Sequence, residues 1–228
     1  EISWTSMWAI IWALFAIWKK SDEIEEIAKS LNIVKLLDFD MKEGFLKWIK
    51  IYKKFEEIFW DKKIEETKIP LKIVATNIET WEKKVFENWK IIDALRASIS
   101  LPWILKPYKI WEELFVDWWI SSNLPIEFLS WENIIAVSAL KNVKWKINLR
   151  KKIFWIDFSA WIFKVWYEII HRTILIMMKQ NEEKSIKYSN KEVILIEPDY
   201  KDLDYYNFNK IDWFIEGWYE SIKKKKNF

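Results

Sequence analysis

The sequence predicts one α/β domain on a mainly parallel sheet with covering helices. Two observations carry this expectation. Apolar runs of strand length alternate with helix-length segments along the whole chain, as in folds whose helices cover a sheet. The 228 residues suffice for one sizeable core, and neither a linker nor an internal repeat divides them, so a single domain over 1–228 is expected.

The elements follow in order. Ile2-Ser3 reads as the end of a strand, and the small apolar run Ala9 to Ala16 belongs to a buried helix ending about Trp18. Ser21 or Asp22 caps a second helix with acids in its first turn. Ile49 to Phe59 repeats apolar residues at spacings of three and four, which is a helical period. Leu71 to Thr76 and Val85-Phe86 read as strands. Ile91 to Ser98 reads as a helix leading into a loop that holds Pro102 and Pro107. A short strand ends at Val116, and Ile134 to Ser138 has the unbroken apolar character of a parallel strand. Phe158 to about Gln180 is a long apolar helix, Glu192 to Ile196 a late strand, and Ile211 to Lys224 a last helix.

Composition sets this chain apart. It has 19 tryptophans and two glycines, whereas glycine ordinarily makes up about 7% of a soluble protein. The tryptophans also stand where turn chemistry calls for glycine: Trp81 follows Glu79-Thr80, Trp89 follows Asn88, and Trp118-Trp119 follow Asp117. A UGA codon written as tryptophan, in a source that reads UGA as glycine, accounts for both facts. Most tryptophans are therefore expected to be glycine positions, with Trp213 the clearest candidate for a true tryptophan.

Several function classes are excluded. The 37 basic and 34 acidic residues are mixed along the chain for a net charge of +3, which is no nucleic-acid signature. Zero cysteine removes disulfide and thiol chemistry and suits a reducing cytoplasm. His171 is the lone histidine, so no metal site is expected. Met7 to Ile17 is too short to span a bilayer and lacks the charged leader of a secretion signal. Lys223 to Lys226 reads as a solvated tail, and Phe154 to Met178 as core rather than a lipid-facing surface. The oligomeric state is not legible.

With glycine restored, Trp4-Thr5-Ser6-Met7-Trp8 becomes G-x-S-x-G, a nucleophile elbow. Glycine is needed there because side chains two residues either side of the serine meet the neighbouring strand and helix. Ser6 is the candidate nucleophile, and Met7 offers the backbone amide after it. Asp117-Trp118-Trp119 becomes Asp-Gly-Gly, preceded by Arg96-Ala97-Ser98-Ile99-Ser100-Leu101-Pro102. With these motifs in this order, the chain resembles the patatin-like phospholipases, particularly small bacterial members. Ile69 to Asn77 with Thr80 to Glu82, Gly44 to Trp48 and Gly217 to Glu220 extend the resemblance, although Asn77 stands where that family usually has aspartate.

The resemblance implies a three-layer patatin-like fold and a lipid acyl hydrolase working through a Ser6–Asp117 dyad, with Asp117 as base. It implies an ester or lipid substrate and no cofactor. Arg96, Ser98, Ser100 and Pro102 are expected in the wall beside the dyad. A Ser-His-Asp triad would have to recruit His171 from inside an apolar helix, which fits less well. The family's upstream strand and glycine-rich oxyanion loop have no counterpart before Ser6, so the sequence is expected to be N-terminally incomplete. A cytoplasmic enzyme is expected, and contact with the inner face of the membrane stays open. Two alternatives also stand: a folded but inactive scaffold, and, for literal tryptophans, an aromatic-rich module that binds lipid or glycan. In the second, indoles at 4, 8, 118 and 119 would block the dyad.

Overall fold

The structure is a computed structural model that describes residues 1–30, 38–39, 46–47, 49–102, 105–118, 124–138, 140, 158–197 and 211–224. Its strands are β1 (Ile2–Thr5), β2 (Asp38–Phe39), β3 (Leu46–Lys47), β4 (Leu71–Asn77), β5 (Lys83–Phe86), β6 (Tyr108–Ile110), β7 (Glu113–Asp117), β8 (Asn133–Val137) and β9 (Glu192–Ile196). Its helices are α1 (Ser6–Ala16), α2 (Ser21–Ser30), α3 (Ile49–Phe59), α4 (Ile91–Ser98), α5 (Phe158–Tyr188) and α6 (Ile211–Lys224). The α/β class expected from the alternating pattern is the class found.

The sheet is mixed. β1 lies parallel to β4, with Thr5 in register with Val74. β4 also pairs antiparallel with β5 and β7, and β6 closes the far side against β7. β8 and β9 form a separate parallel pair. Helices separate the strands of both parallel pairs, and short turns join the antiparallel pairs β4–β5 and β6–β7, as connection length requires, while β4 and β7 pair antiparallel with α4 between them.

Burial explains why β4 lies inside the sheet. Leu71, Ile73 and Ala75 face the main core, while Val74 on the opposite face is also fully buried, so the strand is covered on both sides. α1 contributes Ala9, Ile10, Ala13, Leu14 and Ala16, all buried. Its three alanines let the helix axis approach β1 and β4 closely. Phe55 and Phe59 of α3 and Ile91, Ile92 and Leu95 of α4 fill the remaining volume. Each such large side chain contributes about 1.5–3 kcal/mol on burial.

A smaller cluster joins Leu124, Ile126, Ile134 and Ala136 to Ile186 of α5 and to Val193 and Leu195 of β9. α5 runs on to Tyr188, beyond the expected end at Gln180, because its C-terminal half is the part that packs here. The expectation of core for Phe154 to Met178 fails on one face: Trp166, Ile169, Ile170, Ile176 and Met177 are exposed. Their spacing places them on one stripe of the helix. Among the described residues, no helix is long and apolar enough to cross a membrane.

At the inner end of this cluster, Glu182 is 2% exposed. It accepts a 2.7 Å hydrogen bond from Ser138 Oγ and lies 3.4 Å from Lys179 Nζ, which also reaches Glu197 at 2.5 Å. Burial pushes its carboxyl above the usual range, with Ser138 and Lys179 only partly offsetting that effect. The folded state therefore holds the Glu182 proton more tightly than the unfolded chain does. That contribution to stability is full below the ordinary carboxylate value of 4.5 and is lost as pH rises through the folded value.

Among the described residues, six other than glycine have positive φ, and four are tryptophans: Trp18 (67°), Trp60 (48°), Trp81 (64°) and Trp111 (53°). Each occupies a glycine position by geometry. After α1, Trp18 N–H donates to Phe15 O and Lys19 N–H to Leu14 O, at 2.9 and 3.0 Å. This is the helix-ending pattern whose left-handed residue is usually glycine. Trp60 follows α3 in the same way, with its N–H on Glu56 O at 2.8 Å. Trp111 opens the two-residue loop between paired Ile110 and Glu113, with positive φ at the first loop position alone, where type II′ turns take glycine. Trp81 closes the loop after β4. There Asn77 Oδ1 accepts from the Glu79 and Thr80 amides, a role open equally to the aspartate usual in the family. All four indoles are between 65% and 85% exposed, and the contacts of Trp111 with Trp89 and of Trp18 with Lys68 Nζ are made at the surface, so burial offsets little of the strain. Trp89 carries a different cost: its buried indole N–H has no acceptor among the described residues.

Two predictions follow from backbone and burial. Replacing Trp18, Trp60, Trp81 or Trp111 singly with glycine should raise stability by about 1 kcal/mol each. The exposed Trp131, which lacks positive φ, should gain nothing from the same change; urea unfolding midpoints measure both. Glu182→Gln keeps an acceptor for Ser138 but removes the titration. Thermal unfolding between about pH 4 and pH 8 should show this variant gaining on the parent as pH rises.

Candidate active site

The site forms where β1 stops and α1 starts. Thr5 is extended at φ −131°, and Ser6 then takes φ 60°, the left-handed region that a serine enters only under constraint. This turn lifts the side chain off the end of the sheet at the helix N-terminus. No acidic residue lies in the first turn of α1, so its own helix places no carboxylate at the positive end of its dipole.

Asp117 ends β7, in register with Ala75 of β4, and is fully buried. β4 therefore brings together the ends of two strands, and with them Ser6 and Asp117, 111 residues apart in sequence. Ser6 Oγ donates to Asp117 Oδ2 at 2.5 Å, a short charge-assisted contact. The two residues singled out from the motifs are thus in direct contact.

The surrounding residues divide by role. Ser98, fully buried at the end of α4, accepts a 2.9 Å hydrogen bond from the Ser6 amide and donates to Val74 O at 2.7 Å. Ser100 O accepts from the Asp117 amide at 2.9 Å. Arg96 is buried and donates from Nη1 to Ser100 Oγ at 2.5 Å and from Nη2 to Lys106 O at 3.1 Å. Its guanidinium lies 5.3 Å from the Tyr108 ring centre, and burial pulls its pKa down to about 10. These three residues act on the backbone of the site rather than presenting groups to an open wall. Pro102 is half-buried in the following turn. Because Ser98 occupies the Ser6 amide, the nearest first-turn donor left in α1 is Met7 N–H, which has no acceptor within its own helix.

The tryptophans of the motifs behave differently from the steric expectation. Trp4 is buried and stacks on Trp12 at 5.4 Å between ring centres, with Trp8 at 6.2 Å. Trp8 in turn meets Trp218 of α6 edge-on at 5.7 Å. Trp118 is fully buried against Phe128, with Lys83 Nζ 4.8 Å from its ring centre. The indoles at 4, 8 and 118 thus pack onto one another or onto neighbouring side chains, and the Ser6–Asp117 hydrogen bond forms in their presence. None of these three keeps Ser6 and Asp117 apart. Trp119, Trp103, Gly44 and Trp48 lie outside the described residues, as do the side chains of His171 and Trp213.

Motif reading missed the grip of Ser98 on the Ser6 amide and the contribution of Thr5, whose Oγ1 donates to Val74 O at 3.1 Å. The only available signal was a pair of small hydroxyl residues two positions apart at a helix end. Glu23, among the acids of the first turn of α2, pairs with Lys19 at 2.6 Å.

Comparison with known proteins covers the same elements. Uncharacterized NTE family proteins of Mycobacterium bovis and Mycobacterium tuberculosis are 31% identical over 144 residues. The alignment takes in 60% of this chain and 40% of theirs, so the match spans well under half the length of those curated relatives. The family profile described as patatin-like phospholipase matches residues 2–130, a stretch that runs from β1 past β7 and holds both Ser6 and Asp117. With more than half of its length matched by that profile, the chain belongs to the patatin-like phospholipase family.

Proposed function

We propose that the protein is a serine acyl hydrolase acting on a lipid ester through a Ser6–Asp117 dyad and an acyl-enzyme. The 2.5 Å hydrogen bond between Ser6 Oγ and Asp117 Oδ2, made from a left-handed serine at a helix N-terminus, carries the proposal. In the first half-reaction Ser6 Oγ attacks the ester carbonyl as its proton passes to Asp117. The carbonyl oxygen becomes an oxyanion beside the first turn of α1, where the Met7 amide and the helix dipole favour negative charge. Collapse breaks the C–O bond, and the leaving alcohol takes the proton from Asp117. In the second half-reaction water gives a proton to Asp117 and attacks the acyl-Ser6 carbonyl. The fatty acid leaves and the proton returns to Ser6 Oγ.

We further propose that glycine is the native residue at most tryptophan positions. Four exposed tryptophans with positive φ support this, as does the buried, unsatisfied indole N–H of Trp89. The lipid- or glycan-binding alternative would place exposed tryptophans together on one face. Trp18, Trp60, Trp81 and Trp111 instead occur one to a turn, at helix ends and loops.

Two measurements test these readings. Hydrolysis of short-chain nitrophenyl esters should fall at least about 10³-fold in Ser6→Ala and in Asp117→Asn, and a fluorophosphonate probe should label the parent on Ser6. Equal hydrolysis by parent and Ser6→Ala would discard the catalytic assignment. The intact mass of the protein from its own host should be lower by one tryptophan–glycine difference per UGA codon. UGG codons throughout would overturn the glycine reading.

A further inference from the structure

We infer that Ser98 is a positioning residue that holds Ser6 in its left-handed conformation, so that residues 96–100 grip both halves of the dyad. This inference rests on the Ser6–Asp117 reading above.

The hydroxyl bookkeeping sets the direction of each bond. At the end of the β1–β4 ladder, Thr5 is the last residue in register with Val74. The Val74 carbonyl there accepts from two hydroxyls, Ser98 Oγ at 2.7 Å and Thr5 Oγ1 at 3.1 Å. Ser98 has a single hydroxyl proton, and Val74 takes it. Its lone pairs therefore face the Ser6 N–H, which donates at 2.9 Å. Ser98 is fully buried, with Thr5 Oγ1 3.4 Å away, so water does not replace it readily. Left without this acceptor, the half-buried Ser6 would lose its amide partner at a residue whose φ of 60° is already costly.

Two residues later the same segment holds the base. The Ser100 carbonyl accepts the Asp117 amide at 2.9 Å. Ser100 Oγ donates to Arg96 O at 2.7 Å and accepts from Arg96 Nη1 at 2.5 Å. Arg96 is anchored in turn on Lys106 O and beside Tyr108, whose hydroxyl donates to Asp93 at 2.6 Å. One short stretch at the end of α4 thus fixes the amide of the nucleophile and the amide of the base, and with them the gap between Oγ and Oδ2. Ser98 touches no reacting atom, so its effect falls on kcat through geometry.

The test uses the full chain with Ser98→Ala, Ser98→Thr and Ser6→Ala. Nitrophenyl ester kinetics, fluorophosphonate labelling and hydrogen exchange at the Ser6 amide, read by NMR on serine-labelled protein, are the measurements. Ser98→Ala should lower kcat and the labelling rate by about 10²-fold with KM within about twofold, and speed exchange at the Ser6 amide by about tenfold or more. Ser98→Thr, which retains the hydroxyl, should recover most of both. Should Ser98→Ala fail to fold, Ser98→Cys preserves the volume with a weak acceptor, and its Ser6 amide should exchange faster than the parent's. Unchanged kcat and Ser6 exchange in a folded Ser98→Ala protein would overturn the inference while Ser6→Ala remains inactive. Loss of the hydrolase reading would show instead as an active Ser6→Ala, with Ser6 amide exchange still deciding the role of Ser98.

Discussion

The left-handed backbone at Ser6 is the constraint on which the rest of the site depends. A strand arriving at φ −131° and a helix leaving at once can be joined with the serine hydroxyl lifted clear only through a residue at positive φ. Such a turn costs about 1–3 kcal/mol, and neighbouring structure must offset it. β4 does most of this: along the edge opposite β5 it pairs first with β1 and then with β7, and its Val74 carbonyl collects the hydroxyls that hold the turn. The alanines of α1 let the helix seat tightly enough to keep the turn short.

The same backbone conformation recurs elsewhere without such support. At Ser6 a buried hydroxyl, a ladder end and a buried carboxylate surround the strained residue. At Trp18, Trp60, Trp81 and Trp111 a large side chain projects into solvent with positive φ. Local geometry there is what a glycine would adopt at no steric cost. The contrast separates strain at the candidate nucleophile from strain with no return. It also shows that a fold can be specified by the surrounding pattern even where individual residues work against it.

Charge is handled differently in the two packed regions. Beside the main core, the buried Arg96 is satisfied by Ser100 and Lys106. In the smaller cluster Glu182 is kept by one hydroxyl and a lysine shared with Glu197. Contacts such as Lys72 to Phe128 O and Lys83 to Glu127 tie that cluster to the central sheet. The exposed apolar stripe of α5 lies at the end of the helix away from these contacts.

Much of this was legible in the residue order. The bounds of α3, α4, α6 and β9 follow from apolar periodicity and from turn residues, which are local signals. Ser6 and Asp117 stand out because an elbow and an aspartate turn need particular residue types at fixed short spacings. The sequence alone thus determined the α/β class, the family resemblance and the two residues of the candidate dyad. Only the tertiary structure decided how they meet. Whether β4 pairs with β1 and β7 together, whether the hydroxyl of Ser98 faces the Ser6 amide, and which end of α5 packs are all settled by contacts between segments tens of residues apart. No local pattern encodes them, since hydrogen-bond direction and burial depend on what the rest of the chain brings alongside.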